Sequence, residues 1–381
     1  TQTGGSGHPQ RKPLTKAQKA AIRKKKRQKK IILVVVEILV LLLLAVVLFA
    51  VVKLSKIEKD TSFDESDLEF NEGLSSESQQ IMKGYTTIAL FGLDNRSNGN
   101  LSKGNSDVIM IASINNETKK VKLVSVYRDT MLKQNGEHYD KANAAYSVGG
   151  PETAVNMLNE NLDLNIQDYV SVNFLALADV IDMVDGITVK LTDEEVVHMN
   201  NYCVETSKVT GKKYKKIEPA VAGTYKLNGV QAVSYARIRY TAGGDYKRTE
   251  RQRLVLKKTA DKLKQQDLAT LNKIIDKVMP EVSTSFTTKE ILSLATGAFD
   301  YELGETTGFP FDLETPEQIP GYSGSYVIPK GLEENVIKLH QFLYPNKDYT
   351  PTATVTDISN TLNDMTNVYP NTTESGTSQN E

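Results

Sequence analysis

A single cysteine, Cys203, stands in 381 residues, which excludes an intrachain disulfide and any zinc site built on several thiolates. Histidine is scarce too: His8, His138, His198 and His340 are dispersed and give no metal-ligand spacing. The first thirty residues lack aspartate and glutamate altogether, against eleven lysines and arginines between Arg11 and Lys30. The rest of the chain holds 35 basic and 47 acidic residues, so the formal net charge of −1 averages two unlike parts and describes neither. No internal repeat is present. No helix-turn-helix or zinc-finger pattern accompanies the basic cluster, which argues against a nucleic-acid partner.

What the chain does have is one long apolar run. Residues 31–52 are Ile, Leu, Val, Ala and Phe interrupted only by Glu37. At a rise of about 1.5 Å per residue this matches the roughly 30 Å hydrocarbon core of a bilayer, so a transmembrane helix is expected there. The basic flank predicts a cytoplasmic tail at 1–30 and an extracytoplasmic remainder, and attraction to anionic lipid explains that flank without DNA. Glu37, near the cytoplasmic end, is expected to snorkel toward the interface. The charged lead and the apolar stretch are both too long for a cleaved signal peptide.

Polar, acidic residues 53–83 read as a stalk that lifts a folded domain off the membrane. Strands are expected at 86–92, 107–114 and 121–126, where β-branched and apolar runs are separated by Asn, Gly and Lys. Pro151 opens a helical pattern with Ala154, Val155, Leu158 and Leu162 on one face, another helix is expected at 175–184, and a strand at 187–191. Residues 200–219 read as a polar surface excursion. Helical patterns return at 229–235, 248–265, 268–279 and 289–299. The expected fold is α/β or α+β, one domain over 84–348 with a central mixed β-sheet flanked by helices. Residues 349–381 are polar enough to predict a disordered tail.

Four segments place charge beside apolar strand or helix ends. Asp94 follows the first strand and Asp107 opens the second. Two carboxylates on neighbouring strand ends either stabilise turns or hold a magnesium ion whose octahedron phosphate oxygens complete. Arg128 and Asp129 follow the third strand, as an ion pair or as part of a site. In Tyr235-Ala236-Arg237-Ile238-Arg239-Tyr240 an extended chain sends Arg237 and Arg239 to one face, whereas a helix separates them. Asp245 then precedes Arg248, Arg251 and Gln252, which share a helical face. Guanidinium and amide groups near one helix start suit either a solvated salt-bridge face or an anion pocket for phosphate oxygens.

These blocks, with Lys141-Ala142-Asn143-Ala144-Ala145-Tyr146, Gly149-Gly150, Asp185-Gly186-Ile187 and Leu227-Asn228-Gly229 between them, follow an order that resembles the LytR-CpsA-Psr family of cell-wall glycopolymer transferases. The likeness runs over residues 86–256. Tyr127, Ala142 and Asp185 depart from the family pattern of proline, isoleucine and glycine, and none of the three changes removes a cation or a carboxylate. The resemblance implies transfer of a teichoic acid, capsular or other wall polysaccharide from an undecaprenyl-pyrophosphate carrier to peptidoglycan, a phosphotransferase-type ligation at the membrane surface. It further implies that Asp94 and Asp107 hold Mg²⁺ or Mn²⁺, and that Arg128, Arg237, Arg239, Arg248 and Gln252 grip the pyrophosphate, with Asp245 in the same site. A phosphohydrolase of polyprenyl pyrophosphate and a membrane-anchored regulator or wall-binding protein are the competing readings.

Overall fold

The computed structural model describes residues 58–59, 63–93, 101, 104–287, 290, 291, 294, 300–345 and 347–370. The expected membrane span at 31–52 and the tail at 1–30 lie outside the described residues. Among those described, no helix is long and apolar enough to cross a membrane.

Among the described residues thirteen strands run in chain order: β1 Glu58–Lys59, β2 Tyr85–Leu93, β3 Ser106–Asn115, β4 Lys120–Val126, β5 Met131–Lys133, β6 Tyr139–Lys141, β7 Asp168–Asn173, β8 Ile187–Leu191, β9 Gly223–Leu227, β10 Val282–Thr284, β11 Glu302–Phe309, β12 Leu313–Glu314 and β13 Ile328–Pro329. The helices are α1 Ser76–Met82, α2 Ala144–Leu162, α3 Phe174–Met183, α4 Asp193–Thr210, α5 Gly229–Arg237, α6 Gly244–Leu263, α7 Leu268–Val278, α8 Leu332–Leu343 and α9 Ala353–Thr366. Seven strands form one sheet in the order β1-β10-β7-β2-β3-β4-β11. Its pairings are antiparallel for β2–β3, β3–β4 and β7–β10 but parallel for β2–β7 and β4–β11. The sheet is therefore mixed and flanked by helices, as expected.

Alternation along the strands divides the sheet's contacts. Ala89, Phe91, Ile109, Ile111, Val124 and Val126 pack with Tyr146, Val155 and Leu158 of α2, Val336 and Leu339 of α8, and Ile358 and Leu362 of α9. A second core joins β8 and β9 to α4, α5 and α6 through Ile187, Val196, Cys203, Val230 and Val255.

Several expectations are corrected. The stalk does not extend to residue 83: Leu68 and Met82 are buried in the main core, and the Phe63 ring lies 5.0 Å from that of Tyr169. The polar stretch at 200–219 begins inside α4, whose buried stripe of Val196, Met199 and Cys203 was hidden by polar neighbours. The tail is not disordered as far as residue 370, because α9 buries Val355, Ile358 and Leu362. Its start is held by the Asp163 carboxylate, which accepts from Thr352 N at 2.9 Å, from Thr352 Oγ1 at 2.7 Å, and from the Tyr349 hydroxyl. Residues 371–381 lie outside the described residues. Pro151 does open a helix as expected: Gly149 and Gly150 leave helical backbone angles, so α2 is two helical segments joined at a kink, and Pro151 is the first residue of the second.

Candidate functional site

Strand register builds the floor of a cleft. Because β2 pairs with β3 on one side and β7 on the other, Leu90 lies between Met110 and Val170, and Gly92 between Val108 and Val172. These residues point away from the face that carries Phe91 and Ile109 into the main core. At Gly92 a Cβ would stand 2.7 Å from Val108 Cβ, so only glycine lets the two strands approach here. Phe174 and Leu177 of α3, Val233 of α5 and Val255 and Leu256 of α6 close the cleft from above, enclosing about 500 Å³.

The same cleft is lined by Asp107, Arg128, Arg237, Arg239, Arg248 and Gln252. Six of the eight residues that the resemblance assigned to the site thus meet at one cavity. Asp245 lines the adjoining pocket, and Asp94, next in the chain after the end of β2, lies outside the described residues.

The two arginines of the Arg-Ile-Arg segment do not reach the cleft in the manner expected. Arg237 is the last residue of α5, a helix started by the Asn228–Gln231 capping box, so the segment is not an extended strand. The helix stops at buried Ile238, and the chain turns to carry Arg239 to the same mouth. Arg237 is braced on four sides: Glu205 at 2.9 Å, Thr206 Oγ1 at 3.0 Å, and the rings of Phe174 and Tyr202 at 5.0 and 5.6 Å. Arg239 instead donates to Asp129 Oδ2 at 3.0 Å.

Arg251 shares a helix with Arg248 but faces elsewhere. Its Nε donates to Glu195 Oε1 at 2.9 Å, Nη1 to the Ile238 carbonyl at 3.1 Å and Nη2 to Thr241 Oγ1 at 2.7 Å. It therefore ties down the turn that presents Arg239, a role that helical spacing alone does not reveal.

Around the mouth, Asp107 Oδ1 accepts from Arg128 Nη1 at 2.6 Å, Arg128 Nε lies 3.6 Å from Asp129 Oδ2, and Lys141 Nζ lies 3.4 Å from Asp129 Oδ1. Arg128 is thus bound to Asp107 rather than mainly to its neighbour Asp129. Asp245, in the first turn of α6, has Oδ1 2.9 Å from Arg248 Nη2 and 3.8 Å from Arg239 Nε. Burial raises the Asp245 carboxyl above the ordinary range although Arg248 pulls it down. Burial lowers the Arg248 guanidinium, with Asp245 opposing. For Arg128 burial also acts downward, but Asp107 and Asp129 outweigh it and the net direction is up. Arg128 Nε and Arg248 Nε are buried without a hydrogen-bond partner among the described residues. Buried guanidinium N–H groups left unpaired are costly and are complemented by an anion.

A divalent ion fits the donor chemistry only with help from a ligand. Among the described residues no three His, Cys, Asp or Glu side chains gather closely enough to hold a metal. Asp107 offers a hard carboxylate at the cleft mouth, and magnesium accepts one or two such groups when phosphate oxygens and water complete its shell.

Sheet, apolar cleft and guanidinium rim belong to one α/β domain. The chain belongs to the LytR_cpsA_psr family, whose model matches residues 47–303. It is similar to biofilm regulatory protein A of Streptococcus mutans, 34% identical over 210 residues, 52% of this chain and 49% of that one. It is also similar to the polyisoprenyl-teichoic acid–peptidoglycan teichoic acid transferase TagU of Enterococcus faecalis, 31% identical over 212 residues, 55% of this chain and 64% of that one. The matches thus span about half and just under two thirds of these relatives' lengths. Among solved structures, protein gbs0355 from Streptococcus agalactiae is 28% identical with a TM-score of 0.57, over 73% of this chain and 94% of that one.

Proposed function

We propose that this chain transfers a glycopolymer from a polyprenyl-pyrophosphate carrier to peptidoglycan, with the polyprenyl tail in the 500 Å³ cleft and the pyrophosphate at its arginine rim. The observation that carries this reading is a single cavity whose floor is Leu90, Met110, Val170 and Val172 and whose mouth is Arg128, Arg237, Arg239 and Arg248. A hydrocarbon chain explains the floor, a diphosphate explains the mouth, and one lipid joins the two. The activity for which the Enterococcus relative is named supports the same reaction class.

In the reaction the acceptor oxygen loses its proton and bonds to the glycan-bearing atom. The bond to the leaving phosphate oxygen breaks, and its electron pair stays on that oxygen. Arg128, Arg237, Arg239, Arg248 and Gln252 receive the charge that develops there, which is the step where preorganised donors count most. Asp245, its basicity raised by burial and placed beside Arg239 and Arg248, takes the acceptor's proton. Asp94 and Asp107 would hold Mg²⁺ or Mn²⁺, which when bound supplies further charge neutralisation at the diphosphate. An extracytoplasmic position beyond the span expected at 31–52 would place this mouth where carrier lipid and peptidoglycan meet.

The test is transfer from a synthetic polyprenyl-pyrophosphate-linked glycan to peptidoglycan by the purified chain. Covalent attachment of glycan is the expected result. Release of free glycan without attachment would make the protein a hydrolase instead.

A further inference from the structure

A second pocket of about 400 Å³ adjoins the cleft, and Arg239 and Tyr240 line both. Its inner wall is Asp129, Asp245 and Tyr246, and its outer rim is Thr315, Ser325 and Val327. The rim is fixed to the site by backbone pairing: Val327 N donates to the Asp129 carbonyl at 2.9 Å, and Met131 N to the Val327 carbonyl at 2.9 Å. The Asp245 side chain is 9% exposed, and neither of its oxygens has a hydrogen bond of good geometry among the described residues. The Tyr246 hydroxyl is buried and equally without a partner. Tyr240, by contrast, is 73% exposed and presents a bare ring at the junction of the two pockets.

A carboxylate such as Asp245, ion-paired with Arg248 but with accepting capacity left over, a phenolic hydroxyl and an open aromatic face are groups that recognise a neutral sugar, whose hydroxyls donate and whose C–H faces stack. The walls also differ in origin. Asp129, Arg239, Tyr240 and Asp245 lie within the stretch matched by the family, whereas Thr315, Ser325 and Val327 lie beyond residue 303, where that match ends.

We propose that this second pocket is the subsite for the acceptor glycan, and that the 315–327 segment helps select which acceptor sugar is taken. The inference rests on the transferase reading. A nucleophile approaches opposite the bond that breaks, so with the leaving lipid held in the apolar cleft the incoming hydroxyl arrives from the other side of Arg239, where this pocket lies.

Filling the pocket from its rim tests this. Thr315→Trp and Ser325→Trp each add an indole at an exposed rim position that is not part of the lining of the apolar cleft. In the full chain, the KM for a short synthetic N-acetylglucosamine–N-acetylmuramic acid strand should rise about tenfold or more in at least one folded variant. Affinity for polyprenyl pyrophosphate, measured by calorimetry, should stay within about twofold of wild type. A separate calorimetric titration of the same strand, without lipid, should show binding by wild type that is weakened in the variants. This arm decides the pocket even if the wild-type chain transfers nothing, an outcome that would sink the transferase reading alone. Strand binding equal in wild type and both folded variants, or absent from wild type, overturns the proposal. So does weaker binding of the lipid-linked donor with the acceptor KM unchanged, which would assign the pocket to the donor's own sugar.

Discussion

Arg239 and Asp129, 110 positions apart in the chain, meet at 3.0 Å where the apolar cleft joins the second pocket. The Asp129 carboxylate is almost fully buried, while the Arg239 side chain keeps 37% of its surface exposed. One end of the guanidinium is therefore anchored while much of it stays open to ligand. A lysine cannot both hold Asp129 and offer a fork to phosphate oxygens.

Replacement of Arg239 should accordingly separate charge from geometry. Arg239→Ala is expected to lower transfer roughly a hundredfold or more, corresponding to about 2–4 kcal/mol of transition-state stabilisation, and Arg239→Lys to leave partial activity. Rates on the lipid-linked glycan, with thermal melts to verify folding, give the answer. A near wild-type rate in the folded alanine variant would reduce Arg239 to an ion-pair partner of Asp129.

Metal dependence is expected to reside in Asp107 and Asp94. Asp107→Asn and Asp94→Asn should each weaken the Mg²⁺ dependence of polyprenyl-pyrophosphate binding, measured by calorimetry across a magnesium titration. For Asp107 a second effect is expected, because Arg128 Nη1 loses its 2.6 Å carboxylate partner. Identical magnesium curves in both variants and wild type would remove the ion from the site.

The Arg251–Glu195 pair is buried on both sides, with 6% and 15% of the side chains exposed. Breaking such a pair from one side leaves an uncompensated charge, so Glu195→Gln should destabilise the fold by about 3–5 kcal/mol, visible in urea denaturation. A glutamine at 195 can still accept from Thr192 N, as Gln231 accepts from Asn228 N in α5, so the loss reads the ion pair rather than the helix cap. Loss of less than about 1 kcal/mol would mean that the turn at 238–241 is held mainly by other contacts.

His340 gives the fold an acid limit. It is buried against Tyr349, with ring centroids 3.6 Å apart, and burial lowers its pKa from about 6.5 to about 4. The unfolded chain thus binds the proton more readily, so the stability contributed by neutral His340 is complete above about pH 6.5 and is lost as pH falls toward about 4. Asp168 acts with the opposite sign over the lower part of that window: burial raises its carboxyl from 3.8 to about 6, so its contribution declines as pH rises through that range. Urea midpoints between pH 7.5 and 5 should fall less steeply in His340→Leu than in wild type. Parallel slopes would assign the acid sensitivity to other groups.

Truncation after residue 348 removes α9 and with it Val355, Ile358 and Leu362 from the core. Each buried side chain contributes about 1.5–3 kcal/mol, and the Asp163 carboxylate would also lose Thr352 and Tyr349. The truncated chain should melt well below the full one. Equal melting temperatures would return this segment to the status of a tail.

Local pattern was sufficient for much of this protein. The three central strands and the helix beginning at Gly229 follow from β-branched runs, alternation and an Asn cap, all of which act over a few residues. The candidate site residues stood out as charges at strand and helix ends, but position alone left ion pair and anion pocket open, and it was the resemblance of the ordered blocks that assigned them to one site. Where the sequence misled, the signal was a buried stripe diluted by polar neighbours, as in α4 and α9. Their helices are stabilised by partners distant in the chain, such as Asp163 for the start of α9. Tertiary structure alone decided that Leu90, Met110 and Val170 line one cleft, because register between three strands is a property of their pairing and not of any one of them. It alone decided, too, that Arg237 ends a helix yet reaches the same mouth as Arg239, and that Arg251, one turn from Arg248, holds the turn instead of the ligand. Spacing sets which face a side chain leaves from, but what waits on that face is set by the packing of the whole domain.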